Sequence, residues 1–316
     1  MSHALPAFSP LPSGIAALPH LGVIRAAGED AAKFLHGQLT QDFLLLPQGQ
    51  ARLAALCSAK GRMQASFLGL KTSPDEVLLI TPADLLAPTL KRLSMFVLRA
   101  KVKLTDASAD VLLRGLAGPL AAGGGEAAAP WQARQEGAAH IVTLYPAGGQ
   151  PRALWIAPAG TALPEGPEGP ELPAEAWRLG EVRSGIADIT QPIAEAFVPQ
   201  MLNYESVGGV NFKKGCYPGQ EVVARSQFRG TLKRRGYVAM ATAGGAPLAA
   251  GQEVFAPGDD QPVGIVAQAA QAPEGHWEAI VSMQTSAAGA PQLHAGSAQG
   301  PALSLLALPY ELLEDI

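Results

Sequence analysis

The chain has 316 residues, of which 48% are hydrophobic, and it carries a formal net charge of −4 at pH 7. This length allows two or three packed units with substantial cores, and the negative net charge argues against a surface that binds nucleic acid throughout. No run of about 18 apolar residues is free of charges, prolines and glycine clusters, and the N-terminus has neither a basic nor an apolar region, so we expect no membrane span, no secretory signal and a cytoplasmic location.

The first predicted unit, residues 15–108, mixes strands and helices. After a proline-rich lead-in, "LGVIRAAG" is typical of a strand and "EDAAKFLHGQL" of a helix with acids in its first turn. The segments "ARLAALC", "MQASFLGL" and "VLLITP" indicate strands, "ADLLAPTLKRLSMFVL" indicates a helix and "KVKLTD" another strand. This order predicts an α+β unit rather than a doubly wound sheet.

The second predicted unit, residues 109–235, begins with the strand "VLLRGLAG" and continues through the strands "HIVTLY" and "ALWIA" to the helix "PAEAWRLGEVRSG". Residues 146–173 include seven prolines and several glycines, and we assign turns and no regular element there. The third unit, residues 236–316, has short strands separated by glycine and proline, and no helix: "GYVAMAT", "QEVFAP", "VGIVAQAA", "HWEAIVSM" and "LSLLALP". This pattern predicts a small C-terminal β-barrel.

The chain has two cysteines, Cys57 and Cys216. Two cysteines cannot form a disulfide framework, which agrees with a reducing compartment. An iron–sulfur cluster held by cysteines usually needs about four thiolates, and the histidines show no close pair spaced for zinc. We therefore expect no permanent metal, and we expect Cys57, within the apolar "RLAALCSAKG", to be a core residue.

Basic residues concentrate around the other cysteine. Between Lys213 and Arg235, seven basic residues accompany a single acid, Glu221. Such a concentration in an acidic chain can attract an anion, whether phosphate, polyglutamate or RNA. Charge alone favours the alternative, a solvated basic face.

Cys216 lies in the segment "KKGCYPGQEVVARSQF". The pair Pro218–Gly219 interrupts regular secondary structure, and residues Gln220–Phe228 after it are predicted to be helical. The N-terminus of that helix and the two adjacent lysines would favour the thiolate form of Cys216. The alternative is a small apolar side chain buried in a tight turn. No histidine lies nearby in the sequence to act as the base for a cysteine nucleophile.

These residues resemble those of a known family. The run "SGIADI…FVPQMLNYESVGGVNFKKGCYPGQEVVARSQFRGTLKR" resembles the YgfZ-type folate-binding proteins, relatives of the aminomethyltransferase (T-protein) of the glycine cleavage system. The K-G-C-Y/F-x-G-Q-E motif of that group is intact from Lys214 to Glu221. The segments "FLHGQLTQD", "CSAKGRM", "FVLRAKV" and "ALPYEL" are also similar, so the resemblance covers nearly the whole chain except residues 109–173.

The resemblance implies an aminomethyltransferase-like ring of α+β units around a central folate-binding opening, with the β-barrel last, and tetrahydrofolate or a one-carbon derivative as ligand. It also implies a role in the synthesis or repair of iron–sulfur enzymes, including those that modify tRNA. Cys216 would be the functional thiol, and iron–sulfur client or carrier proteins the partners. Two other functions stay open: a tetrahydrofolate-dependent one-carbon transferase or demethylase, and an RNA-binding adaptor using Arg225 to Arg235.

The family also suggests folate contacts. A tryptophan matching Trp177 packs against folate there, and an indole offers a flat apolar face to a pterin or benzoyl ring; without the resemblance, a core position on an amphipathic helix is the commoner interpretation. A second aromatic contact of related proteins falls close to Leu21. Among the carboxylates that could pair with the pterin, Asp42, Glu195 and Glu205, we favour Asp42. The other candidate contacts are Gln38, Gln200, Lys214, Tyr217, Gln220, Glu221 and Arg225.

The chain departs from the aminomethyltransferases at two places. Those enzymes have an acidic pair in a segment similar to "KGRMQAS", where this chain has Gln64 and Ala65. A neutral amide cannot act as a general acid–base carboxylate. Where they have a glutamate before the A-G of an R-x-E-A-G run, this chain has Arg183. We therefore expect folate binding, while it stays open whether the chain is an enzyme.

Overall fold

The computed structural model describes residues 8–123, 128–162, 171–229, 231–242, 244–258 and 260–313. Within them, two β-sheets and a closed barrel are joined by short helices, which confirms the predicted α+β class and the C-terminal barrel. The strands are β1 Gly14–Ala17, β2 Leu21–Ala27, β3 Ala51–Cys57, β4 Met63–Ser73, β5 Glu76–Pro82, β6 Lys103–Asp106, β7 Val111–Ala117, β8 Ala133–Glu136, β9 Ala139–Ala147, β10 Gln150–Pro158, β11 Glu171–Leu172, β12 Arg234–Ala241, β13 Glu253–Phe255, β14 Gly264–Gln271, β15 Trp277–Gln284, β16 Leu293–Ala295 and β17 Ala302–Leu306. The helices are α1 Ala31–Gln38, α2 Ala83–Ser94, α3 Pro119–Ala122, α4 Ala174–Arg183 and α5 Gln220–Phe228, with 3₁₀ turns at Gln191–Ile193, Pro199–Leu202 and Thr285–Gly289.

The first sheet is antiparallel, with the strand order β3-β4-β5-β2-β6. The strands β2 to β5 follow the predicted apolar segments because each of them buries side chains on at least one face, whereas the edge strand β6 is partly exposed along its length. One face is covered by α1 and α2, where Leu35 and Leu93 pack into one cluster with Ile24 and Phe67. The other face is left for contact with the second sheet.

Both helices on this sheet are shorter than the sequence predicted. Helix α1 begins at Ala31, so the acids precede it, and the Asp30 carboxylate accepts a hydrogen bond from the Lys101 N–H instead. Helix α2 ends at Ser94, because the chain then turns and reaches Leu98 with a left-handed φ of 42°. A left-handed leucine cannot continue a right-handed helix.

The second sheet has the order β11-β1-β7-β10-β9-β8, and it takes β1 from ahead of the first sheet in the sequence. Strand β10 lies in the segment 146–173 and contains the predicted strand "ALWIA", so the assignment of turns and no regular element to that whole segment was wrong. The apolar residues 153–157 are buried between β7 and β9, and this burial outweighs the flanking prolines. Residues 163–170 of that segment lie outside the described residues.

The inner faces of the two sheets meet. Leu68 and Ile80 of the first sheet share one apolar cluster with Leu113 and Leu154 of the second and with Trp177 of α4. The opposite face of the second sheet packs around α3. The space between the two inner faces holds the cavity described below.

The barrel has the order β12-β15-β14-β13-β16-β17 and closes through pairing of β12 with β17. The short strand β16 was not predicted, since three residues carry too little periodicity. A buried ion pair joins the barrel to α4: Arg183 Nη2 lies 2.6 Å from Glu278 Oε1 and its Nε 2.8 Å from Oε2, with both side chains 1% exposed. The unit bounds 15–108, 109–235 and 236–316 stay predictions. In the part of the chain that the structure describes, no helix is long and apolar enough to span a membrane.

Candidate functional site

A cavity of about 610 Å³, part of it open to solvent, lies between the two sheets. Strands of both sheets supply its apolar walls, helix α4 supplies one end, and the segment after α4 supplies a carboxylate. Its lining residues are Leu21, Leu53, Leu68, Ile80, Trp131, Leu144, Tyr145, Arg152, Leu154, Trp177, Glu181, Ser184, Ile186 and Asp188. Apolar walls with a few convergent charged groups are typical of a small-molecule site.

Trp177 lines this cavity but is only 2% exposed. The guanidinium carbon of Arg152 lies 4.2 Å from the centroid of its ring. On the strand beneath, a Cβ atom added to Gly115 would come within 2.5 Å of the ring, so the glycine makes room for the indole. Trp177 therefore stacks on protein groups, and Arg152 covers part of the face expected to meet a ligand.

Two further aromatic side chains line the cavity and are only partly buried. Trp131 and Tyr145 pack with their ring centroids 5.6 Å apart, and the indole N–H of Trp131 donates a hydrogen bond to the Val207 carbonyl at 2.6 Å. Sequence analysis missed both residues, because they lie in the segment 109–173 where the resemblance is weakest. They provide aromatic surface to the cavity beside the largely buried Trp177.

Glu181 lies one helical turn after Trp177 and faces the same cavity. Its Oε1 accepts hydrogen bonds from the Trp177 indole at 2.8 Å and lies 3.0 Å from His20 Nε2, and its Oε2 accepts one from Gln268 at 3.2 Å. Burial raises the pKa of Glu181, but its hydrogen bond to His20 and the charges of His20 and Arg152 outweigh burial, so the net pKa is lowered. Glu181 is thus held as an anion. The sequence contained a signal for this residue, because Glu181 follows Trp177 by four positions and residues at that spacing lie on the same face of a helix.

Asp188 supplies the second carboxylate of the cavity. Its Oδ1 accepts a hydrogen bond from the Ser66 hydroxyl at 3.1 Å, and its backbone N–H donates one to Gln268 at 3.1 Å. Burial and the negative charge of Glu181 raise the pKa of Asp188 from 3.8 to about 6. A carboxyl that titrates near neutral pH inside a cavity is suited to exchange protons with a ligand.

Arg152 is the cation that compensates these carboxylates. It is 4% exposed, and its Nε is buried with no hydrogen-bond partner among the described residues. Burial lowers its pKa to about 10, while the charges of Glu181 and Asp188 oppose the shift. Sequence analysis did not identify Arg152, Glu181 or Asp188 as site residues.

The carboxylates favoured from the sequence lie elsewhere, since none of them lines the cavity. Asp42 pairs with His36, Glu205 forms a buried ion pair with Arg235, and Glu195 accepts a hydrogen bond from Gln64. The neighbour of Gln64, Ala65, is fully buried.

The cysteine motif forms a second, separate feature. Helix α5 begins at Gln220, as predicted, after Gly219 with a left-handed φ of 79°. A Cβ added to Gly219 would lie 2.3 Å from the Ser58 carbonyl oxygen and 2.8 Å from the Gly61 Cα. The family segments "CSAKGRM" and "KGCYPGQE" thus pack glycine against glycine, and the thiol of Cys216 is exposed while that of Cys57 is buried.

Lys214 of the motif points inward. Its ammonium donates a hydrogen bond to the Leu39 carbonyl at 2.9 Å and another to the His36 carbonyl, so it caps the C-terminus of α1. It also lies 4.6 Å from the ring centroid of Tyr217, which is 6% exposed. Burial lowers the pKa of Lys214 to about 8, while the charges of Asp42 and Cys216 oppose the shift.

The remaining predicted contacts lie around this motif. Gln200 is fully buried and its amide donates to the Val223 carbonyl at 2.7 Å, while Glu221 and Arg225 form an exposed ion pair at 2.6 Å. Gln38 ends α1 and Gln220 begins α5. Of the ten predicted folate contacts, the structure brings only Trp177 and Leu21 to the cavity. Among the described residues, no group of three or more histidine, cysteine, aspartate and glutamate side chains is placed to hold a metal ion.

Comparison with known proteins adds three findings. The sequence model of the GCVT N-terminal domain matches residues 13–124. The tRNA-modifying protein YgfZ of Sodalis glossinidius is 31% identical over 315 residues, which are 97% of this chain and 95% of that protein. The protein of the same name from Colwellia psychrerythraea is 32% identical over 248 residues, 74% of each.

Among solved structures, the glycine cleavage system aminomethyltransferase T from Bartonella henselae superposes with a TM-score of 0.62. The alignment covers 95% of this chain and 87% of that one at 17% identity. At that identity the likeness establishes the fold alone. The predicted aminomethyltransferase-like fold is therefore confirmed.

Proposed function

This chain belongs to the family of YgfZ tRNA-modifying proteins, and on that premise we propose that it binds a reduced folate and supports the synthesis or repair of iron–sulfur enzymes, including tRNA-modifying ones. The observation that carries the folate proposal is the cavity between the two sheets. Its apolar walls and its three convergent charged side chains, Arg152, Glu181 and Asp188, are the kind of lining found in small-ligand pockets. Tetrahydrofolate or a one-carbon derivative would lie there.

The cavity offers complementary chemistry to each part of a reduced folate. The pterin ring carries adjacent N–H groups that can donate hydrogen bonds to a carboxylate such as Asp188. The Ser66 hydroxyl donates to Oδ1 of Asp188, which leaves Oδ2 to accept from the pterin. The benzoyl ring is aromatic and can pack on Trp131 and Tyr145, which line the wall. Trp177 would act mainly by holding Glu181 and Arg152 in place.

Calorimetric titration with tetrahydrofolate and its one-carbon forms tests this assignment. We expect Trp177→Ala to weaken binding by about 1–3 kcal/mol, the scale for losing an aromatic group at a binding site. Trp155→Ala is the matched control: Trp155 is also 2% exposed but packs on the far side of the second sheet. Equal losses in both variants would assign the effect to stability, and no binding by the wild type would overturn the folate proposal.

Cys216 would be the functional thiol. It is exposed, whereas Cys57 is buried in the core. Because two cysteines cannot hold a cluster in the usual way, the chain would contact a cluster only transiently, with a client or carrier protein supplying the other ligands. In a strain lacking the gene, wild-type protein should restore the activity of iron–sulfur enzymes better than Cys216→Ala. Full rescue by both Cys216→Ala and Trp177→Ala would refute the assembly role.

The basic face of α5 is the proposed docking region for that partner. Arg225, Phe228 and Arg229 line a shallow, open pocket of about 510 Å³. Attraction between this face and an acidic partner should weaken steeply as salt screens it. Direct binding of tRNA by the same face, with Phe228 stacking on a base, would instead support the RNA-binding alternative.

One observation favours the one-carbon transferase as a second candidate. Gln64 and Ala65 of strand β4 replace the acidic pair of the aminomethyltransferases. Ser66 follows them in the same strand, and its hydroxyl donates a hydrogen bond to Asp188, a carboxyl with a pKa of about 6. Such a group could exchange a proton with the folate. Transfer of labelled one-carbon units from the folate to an acceptor, lost in Asp188→Asn, would support this candidate.

A further inference from the structure

The structure brings a histidine, His36, close to Gly215, the residue that precedes Cys216 in the motif. The segment "FLHGQLTQD" at the end of α1 packs against the cysteine motif, since the Lys214 ammonium donates to the carbonyls of His36 and Leu39. The Asn211 N–H also donates to the Thr40 carbonyl at 2.9 Å. Two parts of the chain about 180 residues apart in the sequence thus form one surface.

His36 is oriented within that surface by a carboxylate. Its Nδ1 lies 3.0 Å from Asp42 Oδ1, and the two side chains are 16% and 14% exposed. A neutral imidazole that donates from Nδ1 to a carboxylate keeps Nε2 as a proton acceptor. That Nε2 points at the motif, because a Cβ added to Gly215 would lie 3.1 Å from it.

Cys216 follows Gly215 directly, and its thiol is exposed. The fold therefore places a carboxylate-bound histidine at the residue next to an exposed thiol. A cysteine, a histidine and a carboxylate that orients the histidine are the groups of an activated cysteine nucleophile. Contacts among these groups are commonly long in a protein without its reaction partner and shorten when the partner binds. Because Gly215 has no side chain, the imidazole can lie close to the backbone of the motif.

We propose that His36, oriented by Asp42, accepts the thiol proton of Cys216 and so activates its sulfur. The S–H bond breaks, the proton moves to Nε2, and the thiolate forms beside an imidazolium that Asp42 stabilises. The thiolate then attacks one sulfur of a disulfide: a new sulfur–sulfur bond forms, the old one breaks, and the leaving thiolate takes up the proton. This inference rests on the proposed role of Cys216 as the functional thiol.

The charged groups around His36 fit this role. Asp42 lies on the loop after α1, and hydrogen bonds from the Leu45 N–H and from His36 help to keep its net pKa low, although burial acts in the opposite direction. Lys214 approaches from the motif and donates to the His36 carbonyl, and the charges of Asp42 and Cys216 both act on its ammonium. The ammonium would stabilise a thiolate beside it.

The probe for the test is 4,4′-dithiodipyridine, whose reaction with a thiol releases a coloured thiopyridone. Mass spectrometry verifies that the modified residue is Cys216. Near pH 6 we expect His36→Gln and Asp42→Asn to react about tenfold more slowly than wild type, whereas at pH 9 the rates should converge, because hydroxide then removes the thiol proton. His294→Gln, a histidine variant in the barrel strand β16, should match wild type at both pH values.

Rescue separates proton transfer from a purely structural role. Imidazole added to His36→Ala should restore the rate near pH 6 in proportion to its concentration, and it should not affect Cys216→Ser. An unchanged pH profile in His36→Gln, or a slow variant that imidazole does not restore, would overturn the proposal. If His36→Ala does not fold, Asp42→Asn decides through its pH profile. The assay contains no folate and no client, so its failure is distinct from failure of folate binding or of cellular complementation.

Discussion

Asp188→Asn offers a direct test of the electrostatics of the cavity. The wild-type carboxyl is buried beside Glu181, and this raises its pKa from 3.8 to about 6. The variant keeps a carbonyl oxygen to accept the hydrogen bond from Ser66, which the wild type makes at 3.1 Å. It therefore removes the charge with little change in shape.

The magnitude follows from the shift. A pKa difference of about two units corresponds to about 3 kcal/mol, at about 1.4 kcal/mol per unit. Because the cavity is partly open to solvent, we take this as an upper limit and expect Asp188→Asn to increase the free energy of unfolding by about 1–3 kcal/mol at pH 7. The same variant should bind reduced folate more weakly, since a carboxylate is lost from the proposed pterin contact.

The sign of the pH dependence is fixed by the direction of the shift. Between about pH 4 and 6 the native state holds the Asp188 proton while the unfolded state releases it, so the wild type loses stability as pH rises through that window. Below about pH 4 both states are protonated and the advantage of Asp188→Asn should vanish. Glu181→Gln should behave in the opposite way, destabilising the protein at pH 7, because the net pKa of Glu181 is lowered.

Urea unfolding followed by circular dichroism from pH 4 to 8 measures both effects, with the slope of the transition checked for each variant. A variant Asp188→Asn that is less stable than wild type at pH 7 would refute the reasoning. So would a gain that is equally large at pH 4. The first result would mean that Asp188 is stabilised as an anion, for example by Arg152, and the second that the gain does not come from removing the charge.

Three further outcomes follow from local contacts. Gly219→Ala should destabilise the protein by more than about 1 kcal/mol, because its Cβ would meet the Ser58 carbonyl at 2.3 Å. Gly137 also has a positive φ but open space around it, so Gly137→Ala should lower the free energy of unfolding less. Equal unfolding midpoints for the two variants would contradict the packing argument. Arg183→Met should cost about 3–5 kcal/mol in unfolding free energy, because it removes two hydrogen bonds to the buried Glu278 and leaves that carboxylate with His276, 3.2 Å away, in place of a bidentate guanidinium. Arg134→Met, whose partner Glu136 is exposed, should cost less than about 1 kcal/mol. Similar losses in both variants would contradict the importance of burial for the Arg183–Glu278 pair. Iodoacetamide should label the exposed Cys216 before Cys57, whose burial raises its thiol pKa to about 12, and equal labelling rates by mass spectrometry would contradict this order.

Much of the architecture was determined by local sequence. The helix Gln220–Phe228 has the predicted bounds, because the Pro218–Gly219 break and the helix-forming residues after it act within a few positions of each other. The strands of the first sheet and the barrel followed from apolar runs bounded by glycine and proline. The apolar centre of strand β10 was also predicted, as "ALWIA", but its extension over the flanking residues to Gln150 and Pro158 was not, because pairing with two neighbouring strands is not written in its own composition.

The sites were decided by tertiary structure. Motif similarity identified Cys216, but nothing in the local sequence connects it with His36, which packs against the motif through contacts formed only in the folded chain. The carboxylates of the cavity, Glu181 and Asp188, were passed over in favour of Asp42, which pairs with His36 instead. Periodicity and turn residues act over a few positions and so set the elements, whereas the pKa of a carboxyl and the partner of a thiol depend on the residues that the packing of two sheets and a barrel brings together from distant parts of the chain.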